Sequence, residues 1–122
     1  DMKNSIRVIA IMFTLLVASS AWAADIFTPA LNSGNADDVN CRVLNTGTTT
    51  ANGVTIEIRT SSTTVEADGT FNIPGGSTSS VTDFSPSATM YCKVSGIKAK
   101  KARVTLCVLD ANDTPLQCVT GQ

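Results

Sequence analysis

From Asp37 onward, short runs rich in Val, Ile and Thr recur every 8–12 residues, bounded by Gly, Pro, Asn, Asp or Ser. That rhythm predicts antiparallel strands packed as a sandwich or barrel. Strands are expected near Val39–Asn45, Val54–Arg59, Thr63–Glu66, Thr70–Ile73, Ser79–Thr82, Thr89–Ser95, Ala102–Leu109 and Leu116–Thr120. Within Val54–Arg59, Val54, Ile56 and Ile58 share one face while Thr55, Glu57 and Arg59 share the other, the signature of a half-buried strand. Val104–Leu109 is largely apolar on both faces, which suits a central strand or an edge covered by a loop. Turns are expected at Asn52-Gly53, Asp68-Gly69, Pro74-Gly75-Gly76, Ser95-Gly96 and Asn112-Asp113. Asn-Gly and Asp-Gly supply the positive φ of tight hairpins. Ile97–Arg103 has room for one helical turn, and no segment after residue 24 has a helical period. The expected fold is all-β: a single antiparallel β-sandwich of about seven or eight strands over residues 37–122, behind an extended or mobile lead-in at 24–36.

The N-terminal pattern is different. Lys3 and Arg7 precede an apolar run, Val8–Ala18, which ends in Ser19-Ser20-Ala21-Trp22-Ala23-Ala24. A cationic start, a short apolar core and a small-x-small end predict a secretory signal peptide over residues 1–23, cut before Ala24. The run falls short of the roughly 20 residues that cross a bilayer, and no basic cluster follows it, so no stable membrane anchor is expected. The expected location is exported, periplasmic or extracellular. Counting from Ala24, seven Lys or Arg stand against nine Asp or Glu. That balance argues against nucleic acid as a partner.

Export changes the meaning of the cysteines. Cys41, Cys92, Cys107 and Cys118 all follow the leader, and an even count in an oxidising compartment predicts two disulfides. A zinc site is the competing reading, but the chain has no His and no Cys-x-x-Cys pair. Four cysteines allow three pairings. If Asn112 and Asp113 are the centre of a turn, Cys107 faces Cys118 across a hairpin, and Cys41 with Cys92 follows by elimination.

Two short motifs add a resemblance. Cys41-Arg-Val-Leu-Asn45 and Met90-Tyr-Cys-Lys-Val94 resemble the inter-sheet disulfide of an immunoglobulin-like β-sandwich. They are also similar to the Cys-Arg-Val-x-Asn and Tyr-Cys-x-Val signatures of small, uncharacterised exported bacterial proteins, over residues 25–120. The chain departs from true immunoglobulin domains in having no Trp after residue 24 and in placing Tyr91 directly before Cys92, facing away from it. The resemblance implies a fold and no activity.

Candidate chemistry is sparse. Without His there is no ready base, a bonded Cys is no thiolate, and no Ser sits in Gly-x-Ser-x-Gly, so no catalytic residue and no enzyme is expected. Asp37 and Asp38 are neighbours on a strand and should point to opposite faces. Asp110–Thr114 resembles a calcium loop but lacks its sixth-position Gly and distal Glu, so a turn is expected, with no metal and no cofactor. Asn112-Asp113-Thr114, with Asp110 two residues ahead, has the pattern of a bacterial glycosylation acceptor at Asn112. The Thr runs at 48–50 and 63–64 suit a solvent-facing sheet surface better than an ice- or polysaccharide-binding array, because their spacing is irregular. The strongest lead is a candidate anion-binding patch: Lys93, Lys98, Lys100, Lys101 and Arg103 put five cations into eleven residues. An envelope polyanion or another protein is the partner such a patch suits. The expected function is a non-catalytic secreted or periplasmic binding or structural domain. The alternative is an exported enzyme or a redox or metal protein with a site the motifs do not reveal.

Overall fold

A computed structural model describes residues 24–34, 36–86 and 88–122; the expected leader lies outside the described residues. The strands are β1 (Ile26–Phe27), β2 (Leu31–Asn32), β3 (Asp38–Asn45), β4 (Ala51–Arg59), β5 (Val65–Ile73), β6 (Thr78–Asp83), β7 (Thr89–Ser95), β8 (Ala102–Leu109) and β9 (Pro115–Gly121). They form two antiparallel sheets. One runs β1-β7-β4-β5, with β2 also on β7, and the other runs β6-β3-β8-β9.

Alternation decides which side chains meet between the sheets. Val39, Cys41 and Val43 of β3 and Val104, Leu106 and Val108 of β8 are buried from one side. Val54, Ile56 and Ile58 of β4 and Met90, Cys92 and Val94 of β7 are buried from the other. Each full burial of such a side chain stabilises by roughly 1.5–3 kcal/mol. β8 is flanked by β3 and β9, the central place its apolar run demands.

Both disulfides form as the favoured pairing has them. Cys41–Cys92 joins β3 to β7 across the core, and Cys107–Cys118 joins neighbouring strands β8 and β9. The hairpin that brings the second pair together is not the symmetric two-residue turn expected. Ala111, Asn112 and Asp113 form a three-residue loop, with Asp113 left-handed at φ 59° and the Asp113 N–H donating to the Asp110 carbonyl at 3.0 Å. Leu116 then bulges out of β9, between the pairs Leu109–Pro115 and Val108–Gln117, and restores the register that places Cys107 opposite Cys118.

Two expected turns lie inside strands. Asn52-Gly53 is a bulge in β4: Gly53 has φ +69° and its N–H donates to the Asn72 side chain at 3.0 Å. Asp68-Gly69 sits mid-strand, with Gly69 opposite Ile56, so the two strands expected at Thr63–Glu66 and Thr70–Ile73 are one, β5, which begins only at Val65. The β4–β5 turn falls instead at Thr60–Thr64, where the Thr60 N–H donates to the Thr64 carbonyl at 3.2 Å. Ile97–Arg103 does contain one helical turn, a 3-10 turn at Ala99–Lys101.

Residues 24–34 are docked on the sandwich. Ile26 and Leu31 are buried, and β1 and β2 both pair with β7. Pro29 lacks an N–H, and between the two strands the Thr28 hydroxyl accepts the Cys92 N–H at 2.9 Å. Beyond β9, Gln122 and Phe27 exchange backbone hydrogen bonds of 3.2 and 3.3 Å, tying the two sheets at that edge.

Candidate anion-binding face

The two outer faces of the sandwich differ in how their charges are satisfied. On the β7–β4 face, Arg59 Nη2 donates to Glu57 Oε2 at 2.8 Å, and Lys93 Nζ lies 3.7 Å from Asp25 and 4.0 Å from Glu57. The Glu57 hydrogen bond raises the affinity of Arg59 for its proton further. Phe27 and Tyr91 pack beside this network with ring centroids 6.2 Å apart. Both cations of this network are thus engaged by carboxylates.

The outer face of β6-β3-β8-β9 is a groove of about 590 Å³. Alternate residues of each strand point into it: Asn40 and Arg42 from β3, Thr82 from β6, and Thr105, Cys107 and Leu109 from β8. Phe84, 75 % exposed, forms part of its wall just beyond β6. Asn40 Nδ2 donates to the Thr82 hydroxyl at 2.9 Å, which fixes the amide within the groove.

Charge divides this groove lengthwise. Asp38 and Asp113 line one end. Desolvation first, and repulsion from Asp113 second, lift the Asp38 carboxyl above its ordinary range. Arg42 lies four residues along β3 from Asp38, about 13 Å at strand rise. Beyond it, Arg103 occupies the same outer face, diagonal to Arg42 through the pairs Arg42–Thr105 and Leu44–Arg103.

The expected cationic patch is therefore regrouped. Lys98, Lys100, Lys101 and Arg103 are exposed and lie together, on the β7-to-β8 crossover and the start of β8. The Thr46 N–H donates to the Lys101 carbonyl at 2.9 Å, fastening that crossover to the end of β3. Lys93 belongs elsewhere: β7 lies in the other sheet, and strand alternation turns Lys93 to that sheet's outer face, where Asp25 and Glu57 engage it. Arg42 takes its place. Among the described residues, no carboxylate lies within salt-bridge distance of Arg42, Lys98, Lys100, Lys101 or Arg103.

Other candidates also find their places. Asp110 Oδ1 accepts the N–H groups of Asn112 and Thr114, each at 2.9 Å, so this carboxylate shapes the turn. Asn112 is exposed at its tip. Asp37 precedes β3 and is exposed, whereas Asp38 opens the strand and meets Asp113 from the following hairpin, a pairing that only the register of β3 with β8 creates. The sequence reading missed Arg42 and Phe84. The signal available for Arg42 was its polar place within an alternating strand. Comparison with known protein families, with curated proteins and with solved structures finds no match.

Proposed function

We propose that this chain is an exported, non-catalytic binding domain that takes an anionic glycan along the cationic half of its β6-β3-β8-β9 face. One observation carries the reading: Arg42, Arg103 and the crossover lysines are exposed with no carboxylate within salt-bridge distance among the described residues, while Arg59 and Lys93 on the opposite face are both paired with carboxylates. A sulfated or phosphorylated glycan supplies the missing anions. The acidic end at Asp38 and Asp113 repels such a chain and sets where it stops.

Export is part of the proposal, supported by the leader pattern and by two disulfides in so small a domain. An immunoglobulin-like arrangement is supported by the two packed sheets and the β3–β7 bridge between them. The strand order is this chain's own, since β8 crosses to pair with β3, whereas an immunoglobulin domain keeps the strand after its second cysteine in the same sheet.

Retention on immobilised heparin tests the reading. Arg42→Glu and the triple change Lys98→Glu, Lys100→Glu, Lys101→Glu should each elute at clearly lower salt than the parent chain, and Lys93→Glu should not. A parent chain that passes through unretained, or variants that all elute with it, removes the glycan reading.

A further inference from the structure

The two disulfides occupy opposite environments. Cys41 and Cys92 are completely buried between the sheets. Cys118 is exposed on edge strand β9, and Cys107 is half-buried in the floor of the open groove. They also differ in what they hold. Cys41–Cys92 spans 51 residues and joins strands β3 and β7, which lie in different sheets and do not pair, whereas Cys107–Cys118 spans 11 and joins strands already laddered from Val104–Gly121 to Leu109–Pro115. The end of β9 is held independently by the exchange of hydrogen bonds between Gln122 and Phe27. Neither Cys107 nor Cys118 belongs to the buried core.

We infer that Cys107–Cys118 is a thiol–disulfide exchange site, opened by an exported dithiol protein while Cys41–Cys92 stays closed and the sandwich stays folded. An incoming thiolate needs a clear line to one sulfur, and the exposed position of Cys118 provides it. Attack there forms a mixed disulfide and expels Cys107 as the thiolate. The second thiol of the partner then attacks its own mixed-disulfide sulfur and releases Cys118. Two electrons pass from the dithiol to the bridge, the partner leaves as a disulfide, and its two thiol protons end on Cys107 and Cys118. No comparable approach reaches Cys41 or Cys92 without parting the sheets, which requires the global opening of the domain. The inference does not rest on the glycan reading, since its readout is the chemistry of the sulfurs.

The test uses the oxidised protein, thioredoxin kept reduced as the dithiol probe, and N-ethylmaleimide to trap free thiols in native buffer, followed by peptide mass mapping and circular dichroism. The expected result is two labels, on Cys107 and Cys118, appearing about 100-fold or more faster than any label on Cys41 or Cys92, with an unchanged β spectrum. Cys107→Ser/Cys118→Ser, still folded, should take up no label over the same period. Labelling at all four cysteines together, labelling first at Cys41 or Cys92, or no labelling until denaturant is added overturns the inference.

Discussion

Cys41 of β3 and Cys92 of β7 sit opposite one another across the core with their Cα atoms 6.2 Å apart, and neither is exposed. Their strands lie in different sheets and share no backbone hydrogen bond. The bond closes a loop about four times longer than that of Cys107–Cys118, so the chain-entropy contributions are about 4 and about 3 kcal/mol. Replacing Cys41 and Cys92 together by Ala also leaves a void between the sheets. Urea unfolding should show that double variant losing about 4 kcal/mol or more, and the Cys107/Cys118 double Ser variant losing at most about 3. Equal losses would mean that the inter-sheet bridge has no special place in the fold.

Asn45 closes the far end of β3. Its side chain is buried, yet it donates to the carbonyls of Thr49 and Ile73 at 2.9 Å each and accepts the Gly47 N–H at 2.9 Å. Three segments are thereby joined: the end of β3, the loop after it and the turn from β5 to β6. Asn45→Ala strands these backbone groups away from water and should cost about 2–4 kcal/mol in urea unfolding. A loss under about 0.5 kcal/mol would show that water satisfies the site.

These residues explain why so much of the sandwich could be read from the chain. In Cys41-Arg-Val-Leu-Asn45 the recognisable positions are Cys41, Val43 and Asn45, all on the inward face, and Met90, Cys92 and Val94 repeat the arrangement on β7. β7 and β8 fall at Thr89–Ser95 and Ala102–Leu109, as alternation predicts, because both of their ends carry turn residues. Asn52-Gly53 misleads because a bulge asks for the same positive φ as a hairpin turn. Gly69 misleads for another reason. The Phe71 ring folds over it so closely that a Cβ would lie 2.7 Å from the ring tip, a neighbourhood that local turn chemistry cannot reveal. The groove was still less legible, since its lining is every second residue of three strands that only the register brings together.

Gly96 separates two costs that substitutions at positive φ usually mix. Gly53, at φ +69°, has open space where a Cβ would be, so Gly53→Ala should cost only the left-handed backbone, about 1–2 kcal/mol. At Gly96, φ is +87° and a Cβ would come within 2.5 Å of the Gly53 carbonyl oxygen. That oxygen belongs to the β4 backbone and cannot swing away as a side-chain tip would. Gly96→Ala should therefore lose about 3 kcal/mol or more, and thermal unfolding of the two variants side by side gives the ordering.

Asp38 makes acid favourable. Its carboxyl is raised from the ordinary 3.8 by desolvation and by Asp113, so the folded state binds this proton more tightly than the unfolded chain. Between the unfolded value and the raised folded value, stability therefore increases as pH falls, and it levels off below 3.8. Asp38→Asn removes the ionised form. The variant should melt above the parent at pH 7 and lose that advantage below pH 3.8, as melting curves across the range will show. A variant less stable than the parent at pH 7 would mean that the ionised carboxylate makes a favourable contact.

Phe84 and Arg42 separate the two ends of the groove. Phe84 follows Asp83, which pairs with Val39 beside Asp38, so it stands at the acidic end, about 13 Å along the sheet from Arg42. With 75 % of its surface in water it contributes little to the core, so Phe84→Ala should change unfolding free energy by less than about 0.5 kcal/mol. A glycan held on the cationic half does not depend on that ring, so heparin oligosaccharide binding by Phe84→Ala, followed by calorimetry, should stay within about 2-fold of the parent and keep its salt dependence. Arg42→Glu should weaken binding and flatten its salt dependence, because a charge on the binding half has been reversed. A Phe84→Ala protein that loses affinity while Arg42→Glu keeps it would move the ligand to the acidic end and remove the glycan reading.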